Sequence, residues 1–151
     1  MDVVTSTWCR AAAASRAIAL PLADLIIRLA VFRIFFWSGL VKIRDWDGTL
    51  QLFALEYMVP LLPIGLAAGL ATAFELGASG LVLVGYGTRF AALPLLAMTG
   101  VIQFVLGARD PAYNQLEHYL WMAMLLSLVL RGGGAWSLDA VFCRACGTRS
   151  A

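Results

Sequence analysis

The chain has 151 residues, of which 62% are hydrophobic and 13% charged, with a net charge of +2 and a mean hydropathy of +0.85. A soluble domain is about half apolar and roughly a quarter charged, and one of this size has no core large enough to hide so much apolar surface. Composition therefore excludes an ordinary soluble globule, and the small charge without a long basic run excludes a nucleic-acid binder.

Residues 1–21 read as an N-terminal cytoplasmic tail. Arg10 and Arg16 ahead of "AIALPLADLIIRLA" imitate a signal peptide. However, Asp24 and Arg28 interrupt the apolar core, and the hydrophobicity continues to Ile43, so the segment reads as a retained first span. A membrane helix needs about 20 mainly apolar residues. Four stretches qualify: 22–43, 61–84, 90–107 and 116–130. "VPLLP" opens the second, with Pro60 and Pro63 where a first turn tolerates them. "GYGTR" forms a tight turn between the second and third, "ARDPAYNQ" links the third and fourth, and "RGGG" ends the fourth. The expected architecture is all-α: a four-helix transmembrane unit over 22–131, followed by a C-terminal cytoplasmic tail over 132–151.

Basic residues on loops and tails set the orientation. Arg10, Arg16, Arg89, Arg131, Arg144 and Arg149 fall on the side with both termini, against Lys42, Arg44 and Arg109 on the other. Both termini are therefore expected in the cytoplasm. The 43–60 connection, with Trp46, Phe53 and Tyr57, would rest on the outer surface as an amphipathic, re-entrant or interfacial segment.

Ionisable residues inside spans cost at least a few kcal/mol each and usually face protein or water. Arg28, Phe32, Phe35, Gly39 and Lys42 share one helical stripe, the natural packing face of the first helix. Arg33 lies about 140° round from Arg28 and needs another partner or an interface. In the second helix Gly65, Gly69, Ala73 and Gly77 form a small-residue ladder of the kind that lets backbones approach closely in lipid. Glu75 lies on a different small face, with Ala68, Thr72 and Ser79. Arg28 lies roughly 9 Å from the inner end of its helix and Glu75 roughly 13 Å, so the two are expected to meet. Such a pair either locks two helices or supplies a carboxylate that handles protons or substrate.

A second group converges at the outer ends: Lys42, Glu56, Gln103 and His118, with Tyr57, Glu117 and Trp121 at similar depth. A His, a Lys and an amide beneath an aromatic loop could hold a quinone head group or a small oxidised substrate, since His changes charge near neutral pH. Ordinary interfacial polarity within an aromatic belt is the alternative. Cys143 and Cys146 form one C-x-x-C, which is half a zinc site, a dithiol pair or two idle thiols; Cys9 adds little. There is no Gly-rich phosphate loop, H-E-x-x-H, nucleophile elbow or C-x-x-C-H, and the single His cannot form a bis-His haem within the chain.

In order and spacing, "IRLAVFRIFFWSGLVKI", "LFALEYMVPLLP", "FELGASGLVLVGYGTRFAALPLLAMTGVIQ" and "HYLWMAMLLSLVLRGGGAWSLD" resemble the DoxX family of small four-helix bacterial membrane proteins. The resemblance spans about Leu25 to Phe142. It implies a four-helix bundle in the inner membrane, associated with membrane redox chemistry; some relatives resemble the membrane subunit of thiosulfate:quinone oxidoreductase. Arg33 and the C-x-x-C tail are not features of the resemblance. The expected role is a subunit or accessory of a membrane redox system carrying electrons from a sulfur compound or thiol to quinone, or serving oxidative or metal stress. Its partners would be the lipid bilayer and other subunits or further copies of the chain, with no nucleic acid. The alternatives are a non-catalytic membrane anchor for a larger complex and a small permease.

Overall fold

The computed structural model describes the backbone of residues 2–59 and 61–147, and the side chains of 15–59 and 61–145. Helix α1 runs without a break from Asp2 to Arg44, so residues expected as a tail are helical. The Ala-rich stretch ahead of Ile18 has high helix propensity and nothing that stops a helix, and Pro21 is carried inside it. Asp45 then caps α2, Trp46–Leu52, by accepting a hydrogen bond from the Gly48 amide. The chain continues into a π-helical turn, Phe53–Tyr57, which ends at Met58 in a left-handed conformation. The expected interfacial segment is thus a short helix and a widened turn.

Helix α3 spans Ile64–Val84 and α4 spans Thr88–Arg109; both are long and apolar enough to cross a membrane. Helix α3 begins three residues after the expected start, because Leu61 is left-handed and Pro63 stands outside the first turn in extended backbone. A turn over Pro111–Tyr113 leads to α5, Leu116–Arg131, and α6 follows at Leu138–Gly147. The segment expected as a C-terminal tail therefore contains a helix. No strand occurs among the described residues.

Helix α1 packs against α3 and α5, α3 packs against α4, and α4 packs along α5. Val31 and Phe35 of α1, Val82 of α3, Ala92 and Leu95 of α4, and Leu125 and Leu128 of α5 meet in the central core. Four of the five residues of the expected stripe on α1, Arg28, Phe35, Gly39 and Lys42, are buried, joined by Asp24 and Val31; the fifth, Phe32, is half-buried and stacks on Phe36. The helices approach closely at Gly39, where an added Cβ would stand 2.8 Å from Leu76 Cδ2 and 3.1 Å from Glu75 Cβ.

Polarity is inverted relative to a soluble helical protein. Asp24, Arg28, Lys42, Thr72, Glu75, Ser79, Thr99, Gln103 and His118 are buried, whereas Leu66, Leu70, Phe90, Leu93, Phe104, Leu120, Leu126 and Leu130 are exposed. The threonine hydroxyls of Thr72 and Thr99 donate to carbonyls one turn back, which satisfies them without water. Among the described residues no fully buried side-chain nitrogen or oxygen lacks a hydrogen-bond partner. Polar groups inside and leucines outside are what a lipid solvent selects.

The small-residue ladder on α3 faces away from the rest of the chain. Ala73 and Gly77 are exposed, and an added Cβ at Gly65, Gly69 or Gly77 would meet no heavy atom within 4 Å. The face that packs inside carries Ala68, Thr72, Glu75, Ser79 and Val82. A carboxylate requires polar company, and that requirement turns Glu75 inward and the glycines outward.

Candidate functional site

The end of the fold that holds the α3–α4 turn and α6 is organised by Arg28. Its Nε donates to the Val82 carbonyl at 2.9 Å, and its Nη1 donates to the carbonyls of Gly133 at 3.2 Å and Trp136 at 2.7 Å. Nη2 donates to the Leu83 carbonyl. Arg28 therefore caps the C-terminus of α3, where carbonyls lack helical partners, and ties the loop after α5 to it. It makes no ion pair with Glu75, and the expected pairing is corrected: α3 ends at the depth of Arg28, so its terminal carbonyls, not its mid-helix acid, meet the guanidinium.

Gly85 makes this junction possible. Its φ of +73° is left-handed, and a Cβ there would stand 2.9 Å from Ser137 Cα and 3.0 Å from Arg28 Cζ. Asp24 pairs with Arg131 at 2.8 Å. Asp139 of α6 accepts from the Gly87 amide at 2.7 Å, the Thr88 amide at 3.0 Å and the Thr88 hydroxyl at 3.0 Å. Burial pushes the Asp139 carboxyl up, but these hydrogen bonds and the Arg28 charge outweigh it and hold it below its ordinary value. Asp24 and Asp139 act through partners distant in sequence, and only the basic residue each must neutralise hints at them.

Glu75 meets Lys42 instead. Lys42 Nζ lies 2.8 Å from each Glu75 carboxylate oxygen and 2.8 Å from Ser38 Oγ, which in turn donates to Glu75 Oε1 at 3.2 Å. All three ammonium hydrogens are engaged. Ser38 was not singled out from sequence, although it stands one turn before Lys42 on the same face.

The other residues at the Lys42 end of the fold form a linked set. His118 Nδ1 stands 3.0 Å from Gln103 Oε1 and 3.2 Å from the Tyr113 carbonyl. Both neighbours are acceptors, so Nδ1 carries a hydrogen and faces them as the donor. Gln103 Nε2 donates to Asn114, and the His118 ring packs edge-on to Trp121 at 5.1 Å. Glu56 accepts a hydrogen bond from the Tyr113 hydroxyl, and the Tyr113 ring meets Tyr57 at 5.9 Å. Of the expected outer residues, Gln103 and His118 touch, Lys42 joins Glu75, and Glu56 joins Tyr113; Glu117 is exposed. Tyr113 and Asn114 were not foreseen, because their roles depend on how the linker before α5 folds back.

Tyr57 connects the two parts. Burial raises the pKa of its hydroxyl, and the negative charges of Glu75 and Glu56 add to the effect. The bond to Glu56, then partial burial, pushes Tyr113 up to about 12. Among the described residues, neither the Tyr57 hydroxyl nor His118 Nε2 has a hydrogen-bond partner in the protein. Three π-helical stretches carry these groups: Phe53–Tyr57 holds Glu56 and Tyr57, Phe74–Ala78 holds Glu75, and Val101–Leu106 holds Gln103. Such turns are rare and concentrate where a side chain must be aimed for function.

A quinone head group needs hydrogen-bonding partners at its two ring oxygens. By donor and acceptor type, the Tyr57 hydroxyl could donate to one, and a neutral His118 could accept at Nε2 from the hydroxyl of the reduced form. Lys42 does not serve directly, since Glu75 and Ser38 hold its hydrogens.

Elsewhere, Arg33 and Arg44 both lie over the exposed Trp37 ring, at 4.8 and 5.7 Å from its centre. The Cys143 thiol is exposed on α6, while the side chains of Cys9 and Cys146 lie outside the described residues. No group of three or more His, Cys, Asp or Glu suited to a metal occurs among the described residues. The DoxX family model matches residues 23–108. No curated protein and no solved structure matches the chain.

Proposed function

Because the chain belongs to the DoxX family, we propose that it is a multi-pass protein of the bacterial inner membrane, built as a four-helix bundle with both termini in the cytoplasm. In this reading α1, α3, α4 and α5 are the four spans. The excess of arginine at the end bearing Arg28, Arg89 and Arg131 faces the cytoplasm, and the 46–57 segment lies at the outer surface.

The protein serves as a subunit of a membrane redox system that passes electrons from a thiol or small sulfur compound to quinone. The observation that carries this reading is a pair of polar atoms without hydrogen-bond partners in the protein, Tyr57 Oη on a half-buried ring packed against Tyr113 and Nε2 of the buried His118, whose Nδ1 is held by Gln103 and the Tyr113 carbonyl. A bound quinone would accept two electrons and two protons. Oxidation of two thiols to a disulfide releases that number of each, so the exchange balances with a thiol-bearing partner as donor. Tyr57 would orient one ring oxygen, and His118 would take up at Nε2 a proton released by the thiols and pass it to the ring. The Lys42–Glu75 pair keeps a net-neutral polar floor beneath them.

The test is thermal unfolding of the purified protein in mild detergent with and without a short-chain quinol. The quinol should raise the midpoint, and His118→Ala or Tyr57→Phe should remove that rise while leaving the unliganded midpoint close to wild type. No rise in the wild type, or the same rise in both variants, refutes the site.

A second reading has its own observation. The outward ladder Gly65, Gly69, Gly77 meets nothing within the chain, as expected of a non-catalytic anchor that seats a partner helix there. In that case the outer cluster is structural, and a partner should co-purify through α3.

A further inference from the structure

About 21 Å along α1 from Lys42, at the Arg28 end of the molecule, lies an open groove of about 740 Å³ between the α3–α4 turn, the loop after α5 and α6. Its walls include Tyr86, Arg89, Phe90, Arg131 and Phe142, with the Gly132–Gly134 run as its floor. Neither the redox reading nor the anchor reading uses this groove.

The charge there is unbalanced in a specific way. The segments 15–28, 84–90 and 131–145 carry Arg16, Arg28, Arg89, Arg131 and Arg144 against Asp24 and Asp139. Asp139 lines the groove, but its carboxylate is turned to the Gly87 and Thr88 amides and the Thr88 hydroxyl. Asp24 is held by Arg131, whose side chain nevertheless remains 47% exposed. Arg28 is committed to four carbonyls. Arg89 lies across Gly132 and has neither an ion pair nor a hydrogen bond from its side chain among the described residues. The groove thus presents one free guanidinium beside a second that is half-exposed.

The rim is aromatic. Tyr86, Phe90 and Phe142 are 52%, 79% and 55% exposed, and Tyr86 and Phe142 meet edge to face at 6.0 Å. Aromatic rings at a helix end mark the level of lipid head groups. Planar guanidinium forks match phosphate oxygens, and basic pockets between membrane helices on the cytoplasmic side take anionic head groups.

We propose that this groove binds the phosphate group of an anionic phospholipid, held between Arg89 and Arg131 with the acyl chains running past Phe90 and Phe142. The inference rests on the membrane reading above and is independent of the redox one. The same phosphate chemistry could arrive on a soluble phosphate ester, which the experiment separates.

The experiment uses the full chain in mild detergent, titrated with phosphatidylglycerol, with phosphatidylcholine, and with glycerol 3-phosphate. Retained lipid is read by native mass spectrometry and stability by the thermal midpoint. Phosphatidylglycerol should be retained and raise the midpoint, phosphatidylcholine should do neither, and Arg89→Gln should weaken retention about tenfold, the loss of one charge-assisted contact. Arg89→Lys should keep part of it. A comparable response to glycerol 3-phosphate supports the phosphate site and assigns it to a soluble ester. Equal retention of both lipids, or undiminished retention by Arg89→Gln, overturns the proposal. Recovery of the protein from cells without membranes would instead refute the reading on which it rests, so the two failures are distinct.

Discussion

Lys42 grips both carboxylate oxygens of Glu75 at 2.8 Å, across 33 residues of sequence and between two helices that lie close together at Gly39. Removing one charge leaves the other buried without a partner. Lys42→Met or Glu75→Gln alone should therefore cost about 3–5 kcal/mol, while the double variant should recover most of the loss. Chemical unfolding of the four proteins in detergent measures this directly. Strict additivity of the two single losses would show that the residues do not depend on each other.

What the sequence could and could not reveal is clearest on these same helices. The inward stripe of α1 was legible because helical spacing alone decides which side chains share a face. The partner of its lower cation was not, since depth counted from assumed helix ends put Arg28 level with Glu75. The actual end of α3, at Val84, puts carbonyls there instead. Which small face of α3 turns inward was not legible from size alone, because small faces look alike in sequence and both sides of α3 are small. The buried acid was the better signal, because lipid tolerates outward glycines and does not tolerate an outward carboxylate. The contacts of Asp24, Asp139 and Tyr113 depend on where loops return, and no local pattern encodes that.

Tyr113 should titrate late. Its hydrogen bond to Glu56 pushes its pKa up to about 12, against an ordinary value near 10. The stabilisation from this bond is fully present below about pH 10 and is lost as the pH rises through about 12. Ultraviolet titration of the folded protein should show a tyrosine component in that window, and Tyr113→Phe should abolish it. Glu56→Gln should shift it downward; a component unmoved by Glu56→Gln would mean that another group causes the delay.

Asp139 has the opposite sign. Its folded pKa is held below the ordinary carboxylate value, so its contribution is present above about pH 4 and declines as the pH falls through the lower folded value. Asp139→Asn keeps the shape but weakens three hydrogen bonds that dock α6 on the α3–α4 turn. It should cost about 1–3 kcal/mol and expose α6 to protease at neutral pH. Cleavage within 138–147 should rise several-fold in the variant, and at acid pH the wild type should approach it. Equal cleavage of both proteins across the pH range would separate the docking of α6 from Asp139.

Two glycines, one at the α1–α3 contact and one on the outward face of α3, should respond in opposite ways. A side chain at Gly39 must enter space held by Leu76 and Glu75, with the nearest carbon 2.8 Å from the new Cβ. Gly39→Ala should push α1 away from α3, strain the Lys42–Glu75 pair and cost about 1–3 kcal/mol. Around Gly69 there is open space, so Gly69→Leu should leave the isolated protein's thermal midpoint nearly unchanged. What Gly69→Leu should alter is association: a helix seated on the ladder through close backbone approach would be displaced by the new side chain. Co-purification in mild detergent, read beside the midpoint, separates the two effects. If Gly69→Leu destabilises the purified chain as strongly as Gly39→Ala, then the ladder is an internal packing face, and the inward assignment of Glu75 fails with it.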